Sequence, residues 1–518
     1  MPIDAKRRQL LLASAGLCGL GLLPALLANA REPSSKTYPF TLGVASGDPL
    51  PDGFVLWTRL APQPLDDESG AGGMPALAVP VRWQVAEDEQ FRKLVAQGST
   101  LAEPQWGHSV HVEVRGLRAD RRYCYRFFAM DAESPRGWTR SAPAAGMGRL
   151  RFALASCQHY EQGYYAAYRH LVREAPDLVL HVGDYIYESS REDGVRQHRV
   201  NNPQTLAQYR RHHAQYKLDA DLQAAHAACP WLLTWDDHDV QNDYAGAHSQ
   251  FNDPPERFLL RRAAAYQAYW EHLPLPLSAR PHGPDMRLYR SRDYGELLRI
   301  YLPDDRQYRD DQACGSAGHW GGELLADCAQ RVDPRRTMYG AAQEAWLQQR
   351  FAQSKARWNL LAQQLLMAPL DQQPGPGEVW WSDGWDGYPA ARTRLLQSMR
   401  DTQLRNPLVL GGDIHSFWAS ELKADFADPQ SPNIACEFTG TSISSLGGGY
   451  ERYQALLPEN PHIRFFDSRF RGYALGELSR DTLQMQFRAL DDVRDADSGI
   501  RTLASFVVEA GQARIVAA

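Results

Sequence analysis

The period of the apolar positions changes near residue 146. From 38 to 146 they fall in short alternating runs, "GFVLWTRL", "VPVRWQVAED", "HSVHVEVRGL" and "RRYCYRFFAM", separated by turn residues. Period-two alternation at this spacing predicts a small antiparallel β-sandwich, and no candidate catalytic cluster lies within it. After the Ala-, Pro- and Gly-rich linker "SAPAAGMG", strand-like runs alternate with helix-length segments from 147 to 518. That grammar predicts a layered α/β domain. Helices are expected at 162–175, 203–228, 255–272, 341–353 and 390–401, covering a sheet. The tract "DQQPGPGEVWWSDGWDGYPA" (371–390) is too aromatic for a plain linker and is expected against the core or the rim of a site. Segment 451–466, "ERYQALLPENPHIRFF", reads as part of a lid or, equally, as a surface crossover.

Five apolar runs deliver polar side chains just past their C-terminal ends. "RLRFALASCQHY" ends at Ser156 and Cys157, and "LVLHVGDYIYE" at Asp184 and Tyr187. "WLLTWDDHDVQND" ends at Asp236, Asp237, His238 and Asp239. "LLRIYLPDDRQYR" ends at Asp304, Asp305 and Arg306, and "NPLVLGGDIHS" at Asp413 and His415. In open α/β sheets that edge is where sites form. Taken singly, a Gly-Asp after a strand is common turn chemistry, and "DDHD" is an ordinary solvated run. Five such ends together point to one site.

The donors are hard oxygens, a phenol, a thiol and imidazoles. A phenolate suits a hard trivalent metal such as ferric iron, a carboxylate can bridge two ions, and grouped aspartates suit calcium or magnesium.

A net charge of −6 over 518 residues gives no field that gathers nucleic acid, so a nucleic-acid scaffold role is not expected. The N-terminus reads as an export leader. Arg7 and Arg8 precede an apolar run to Leu27, which ends in Ala28, Asn29 and Ala30. The arginine pair favours the twin-arginine translocon and cleavage near Ala30, giving a periplasmic or secreted protein with no membrane span after cleavage. An uncleaved anchor is the alternative, disfavoured by the glycines and Pro24. Leu17 before Cys18 argues against lipid attachment. Of the seven cysteines, Cys314 and Cys328 share a glycine-rich segment and are the expected disulfide.

The order "SCQ", "GDYIY", "WDDHD" and "GGDIHS", preceded by "FTLGVASGDPLPDGFVLWTRL", resembles the PhoD-like alkaline phosphatase and phosphodiesterase family. That family belongs to the metallophosphoesterases, which include the purple acid phosphatases. "RTMYG" (336–340) and "DGWDGYP" (383–389) extend the resemblance over nearly the whole mature chain, and "GLRADRRYCYRF" looks like the end of a fibronectin type III-like domain. The resemblance implies a two-sheet core flanked by helices, one Fe3+ and one or two Ca2+. It implies Cys157 as an iron thiolate, Asp184 as the bridge, Tyr187 as the iron phenolate and His415 on the iron side. Asp237 falls where relatives carry an asparagine ligand and would bind calcium, as would Asp413; Asp236 and Asn242 are further candidates for calcium. His238 would contact the phosphate or protonate the leaving group, and Arg306 would clamp the phosphate. Relatives often carry threonine before that arginine block, where this chain reads "DDRQYR".

The chemistry that follows is metal-assisted hydrolysis of small-molecule, lipid or polymer phosphate esters, with water activated by the cations. No covalent intermediate is needed, and Ser156 is not assigned as a nucleophile. Two alternatives stand beside it: phospholipase D-like transfer on the same fold, and an exported calcium-binding wall protein. Calcium has little use for the thiol and imidazole of Cys157 and His415, which weighs against the latter.

Overall fold

The computed structural model describes residues 38–518 apart from 147, 192 and 316–320. The leader expected at 1–30, with Cys18, lies outside the described residues. Two large sheets carry the chain. The ten-stranded sheet runs, in spatial order, Val516–Ala517, Ile500–Glu509, Thr482–Leu490, Gly472–Ser479, Arg149–Ala155, Leu178–His181, Trp231–Leu233, Val44–Leu50, Gly53–Arg59 and Ser109–Val114. The seven-stranded sheet runs Arg290–Tyr294, Leu298–Leu302, Trp358–Ala362, Pro407–Gly411, Asn433–Thr439, Phe417–Lys423 and Ile463–Asp467. At the centre of each, neighbouring strands are parallel, so their C-terminal ends share one edge.

The near-continuous apolar character of these strands follows from burial on both faces. Leu150, Phe152, Leu154, Leu178, Leu180 and Leu232 of the first sheet share one core with Leu298, Ile300, Leu360, Leu408 and Leu410 of the second. Their alternates, Ala153, Ala155, Val179, Trp231 and Leu233, pack with residues of the Ala166–Glu174, Leu206–Lys217 and Pro255–His272 helices. On the second sheet the alternates Tyr301, Leu361 and Val409 pack with the Gly340–Ala352 and Pro389–Asp401 helices.

The single helix expected at 203–228 is two, Leu206–Lys217 and Ala220–Ala228. Asp219 is the reason: its Oδ1 accepts from the amides of Asp221 and Leu222, which makes it an N-cap that restarts the chain in a new direction. Segment 451–466 divides: its start belongs to the short Tyr450–Gln454 helix, and its end is the Ile463–Asp467 edge strand. The N-terminal strands also divide. A five-stranded sheet built on Leu94–Ala102, Val79–Ala86 and Arg122–Ala129 packs against Val44, Phe54 and Leu56. Those three residues lie on strands that continue the ten-stranded sheet through the parallel Gly47 to Trp231 pairing. Cys314 and Cys328 form a disulfide, and no helix among the described residues is long and apolar enough to cross a membrane.

Candidate metal centre

The strand ends converge as the motifs require, and two glycines let them. Gly183 has φ +117°, and a Cβ there would lie 2.4 Å from the Cβ of Asp236. A Cβ on Gly412 would lie 2.6 Å from the Ser156 hydroxyl. Hence each "GD" carries a glycine where two strand ends meet. Cys157, Asp184, Asp413 and His415 themselves hold φ between 53° and 64°, a left-handed conformation rare for such residues. Strain of this kind costs about 1–3 kcal/mol per residue and concentrates at functional sites.

Donor atoms of Cys157, Asp184 and His415 lie within 4.8 Å of one another, as do those of Asp184, Asp237 and His238, and of Asp236, Asp237 and Asp413. A fourth such group joins Asp237 to Asp243 and Asp383. Asp184 is therefore shared between the thiol-imidazole end and the carboxylate end. The Tyr187 hydroxyl lies 2.7 Å from Asp184 Oδ2 and 2.9 Å from His415 Nε2. His415 Nδ1 faces the Leu446 carbonyl at 2.9 Å, which fixes the proton there and leaves the Nε2 lone pair toward the site. One phenol proton cannot serve both Asp184 and that lone pair. A cation among the three satisfies all of them.

The carboxylate end makes the same demand. Asp184 Oδ1, Asp236 Oδ2 and Asp237 Oδ1 are buried and accept no hydrogen bond. Buried acceptors left unpaired are costly. Six carboxylates (Asp184, Asp236, Asp237, Asp243, Asp383, Asp413) face two guanidiniums, Arg306 and Arg309, which leaves four negative charges. Without cations the acids compensate by holding protons. Burial and then neighbouring aspartates push Asp184 and Asp413 well above the carboxylate range; burial lifts Asp236 to about 6 and Asp243 to about 7. Burial and the Asp184 charge likewise push the Cys157 thiol up. Thiol, phenol, imidazole and carboxylate at one end suit a transition ion, and carboxylates alone at the other suit a hard cation.

His238 is held differently. Its Nδ1 lies 2.7 Å from Glu188 Oε2, and the other oxygen of Glu188 accepts from the Asn242 amide at 3.0 Å. Burial alone would depress the imidazolium, yet Glu188, Asp237 and Asp184 outweigh it and keep its pKa well above the usual histidine value. Glu188 is held down to about 2 against its own burial, chiefly by His238.

Arg306 departs from expectation. Its side chain is fully buried; Nε donates to Asp236, Nη1 lies 2.8 Å from Asp383, and Nη2 is 3.5–3.6 Å from Asp237 and Asp413. A guanidinium engaged by these four carboxylates, with Asp305 Oδ1 also 4.0 Å from Nε, neutralises the floor of the site and does not line the cavity described below. Asp236, bound to it, turns its free oxygen toward Asp237 and Asp413. Asp239 and Asp304 are turn acceptors, taking the amides of Asp236 and Ile186 and of Arg306 and Gln307.

Above the carboxylates opens a cavity of about 380 Å³, lined by Asp184, Asp237, His238, Asn242, Asp413 and His415. The rest of its lining is largely apolar: Leu324, Leu365, Leu366, Leu370, Trp381 and Trp385, with Arg452 and Tyr453 also lining it. The aromatic tract 371–390 thus supplies a wall of the site, and the start of 451–466 reaches it. Sequence reasoning missed Glu188, Asp243 and Asp383. All three lie inside motifs already singled out, "GDYIYE", "WDDHDVQND" and "SDGWDGYP", where an acidic residue at a motif end was the available signal.

Comparison with known proteins shows the family. Residues 152–487 match the family model of PhoD-like phosphatase, and residues 26–143 match PhoD-like phosphatase, N-terminal domain. Alkaline phosphatase D of Bacillus subtilis (strain 168) is 45% identical over 523 residues, 98% of this chain and 88% of that protein. A solved structure described as "Structure of PhoD" superposes with a TM-score of 0.89 at 46% identity, covering 94% of this chain and 93% of that one.

Proposed function

The chain belongs to the PhoD-like phosphatase family and is a phosphoesterase, and we propose that it is an exported, metal-dependent one that frees phosphate from mono- or diesters at the cavity described above. The observation that carries the metal dependence is the deficit of four positive charges among six carboxylates gathered at parallel strand ends. Cys157, Tyr187, Asp184 and His415 would hold a ferric ion; Asp184, Asp237 and Asp413, with Asp236 and Asn242 beside them, would hold calcium. Bound there, such cations supply charge neutralisation for the phosphoryl group and activation of water. The chain's own residues do the rest. Asp184 spans the two ends and would offer a ligand oxygen at each. His238, with Nδ1 fixed on Glu188, turns Nε2 and its proton to the departing alkoxide. Arg306 holds Asp236, Asp237, Asp383 and Asp413 in place by ion pairing. The apolar wall excludes water and receives the organic part of the ester. The two sheets and their helices support the layered metallophosphoesterase fold, and the paired arginines at 7 and 8 support export by the twin-arginine route.

The test is elemental analysis with a visible spectrum on enzyme exported from its native host. Iron near one per chain with calcium, and a broad phenolate-to-iron band, is the expected result. Calcium without iron, or zinc alone, overturns the metal assignment.

A further inference from the structure

A second concentration of charge lies outside that cavity. Where the Arg290–Tyr294 edge strand begins, a cavity of about 300 Å³ is lined by Arg287, Arg290, Arg292 and Arg350 together with Tyr289 and Trp346. No carboxylate lines it, and it shares no lining residue with the hydrolytic cavity. Arg290 and Arg292 both pair with one buried acid, Asp48, at 2.7 and 2.5 Å. That shared partner fastens the N-terminal strand to the sheet edge and leaves one guanidinium uncompensated. Arg287 and Arg350 have no carboxylate partner among the described residues; Arg287 lies 4.8 Å over the Tyr289 ring. Three positive charges therefore remain in a chain whose net charge is −6. The Nε of Arg292 is buried with no acceptor, a donor aimed at nothing in the protein.

We propose that this pocket binds a phosphate ligand with two or more phosphoryl groups, apart from the site of hydrolysis. Planar guanidinium forks match phosphate oxygens two at a time, and Arg is preferred over other cations for that reason. Arg290 is taken up by Asp48 and the Leu233 and Leu288 carbonyls, so the free forks are those of Arg287, on a loop, and Arg350, on the Gly340–Ala352 helix; with the unpaired Arg292 Nε–H they present more donors than the oxygens of one phosphoryl group accept. The volume is about ten times the ~30 Å³ share of one liquid water, which accommodates more than one such group. A nucleobase is not the partner: Arg287 lies over the Tyr289 ring, and Trp346 sits against that ring at 5.0 Å. The ligand is a linked phosphate, either free in solution or displayed on lipid headgroups.

The test uses Arg287→Gln with Arg350→Gln, since neither side chain has a carboxylate partner among the described residues. Tripolyphosphate is titrated by calorimetry into Asp184→Ala protein, in which hydrolysis is disabled, with and without the double substitution. Loss of about ten-fold or more in affinity, with a weaker salt dependence, is expected. In otherwise native enzyme the double substitution should leave kcat and KM for a small aryl phosphate unchanged. Unchanged tripolyphosphate affinity overturns the site, as does orthophosphate binding equally tightly or hydrolysis falling in parallel. Vesicles of phosphatidic acid separate the sources: binding that the double substitution removes assigns headgroups, and tripolyphosphate binding without vesicle binding assigns a soluble ligand; both uphold the site. Native hydrolysis is read separately, so failure here leaves the phosphoesterase reading untouched.

Discussion

Replacing Glu188 by Gln keeps the shape of its side chain but removes the charge that holds the His238 proton. The two groups are 2.7 Å apart with side chains 16% and 6% exposed, so solvent screens them little. At about 4 Å between charge centres and an effective dielectric of 20, the gross attraction is about 4 kcal/mol. Glutamine retains a neutral hydrogen bond, so the net loss is nearer 1.5–3 kcal/mol. At 1.36 kcal/mol per unit, the His238 pKa falls by about 1–2 units. The direction follows: His238 then loses its proton at lower pH, and the alkaline limb of kcat moves down by that amount. The assay is kcat against pH for two esters, one with an alkyl alcohol that needs a proton to leave and one with a nitrophenol that does not. The alkyl ester should show the shifted limb and a rate loss of about ten-fold or more on the alkaline side, while the aryl ester is nearly unaffected. Equal slowing of both esters, or an alkaline limb that stays in place, refutes the assignment of His238 as proton donor and of Glu188 as its positioning residue.

Asp184→Ala removes the carboxylate shared by both ends of the site; activity should fall by about 10³-fold or more and bound metal by at least one ion per chain, read by steady-state kinetics and elemental analysis. Exhaustive chelation should abolish hydrolysis, and calcium with iron should restore it, whereas full activity after complete metal removal contradicts metal dependence. Arg306→Met removes the guanidinium paired with Asp236, Asp237 and Asp413 and leaves Asp383 to Arg309 alone, so the metal-free protein should lose about 3–5 kcal/mol in denaturant unfolding, and less with metal bound. Buried histidines set acid stability: burial holds His181 down to about 3 and His212 to about 4. Folded they stay neutral while the unfolded chain protonates near 6.5, so their contribution is present above that pH and is lost as pH falls toward 3–4, at about 1.4 kcal/mol per unit per residue. His181→Phe should flatten that slope in unfolding curves between pH 6 and 4.5.

Reading the sequence was reliable wherever local chemistry had one meaning. The Pro255–His272 helix matches its expected bounds because proline opens it and its apolar positions keep a helical period. The break within 203–228 was not foreseen because an N-cap aspartate in mid-sequence is indistinguishable from a surface aspartate until its amide partners are known. Arg306 was misread for a related reason. An arginine after a strand beside a phosphate site invites the role of clamp, and only the fold shows Asp236, Asp237, Asp383 and Asp413, far apart in the chain, closing around it. Glu188 and Asp243 stood in view but unranked, because an acid at a motif's end signals neither orphan oxygen nor ion pair.

By itself the sequence determined that polar donors follow apolar strands in a fixed order, and strand ends on a parallel sheet share an edge, so one site was already implied. Left-handed turns at Cys157, Asp184, Asp413 and His415, and glycines admitting Asp236 and Ser156, then decided which donors touch. The sum of charges was settled only in three dimensions. Coulomb interactions depend on distances between residues far apart in the chain, such as Cys157 and Asp413, and no local pattern encodes them.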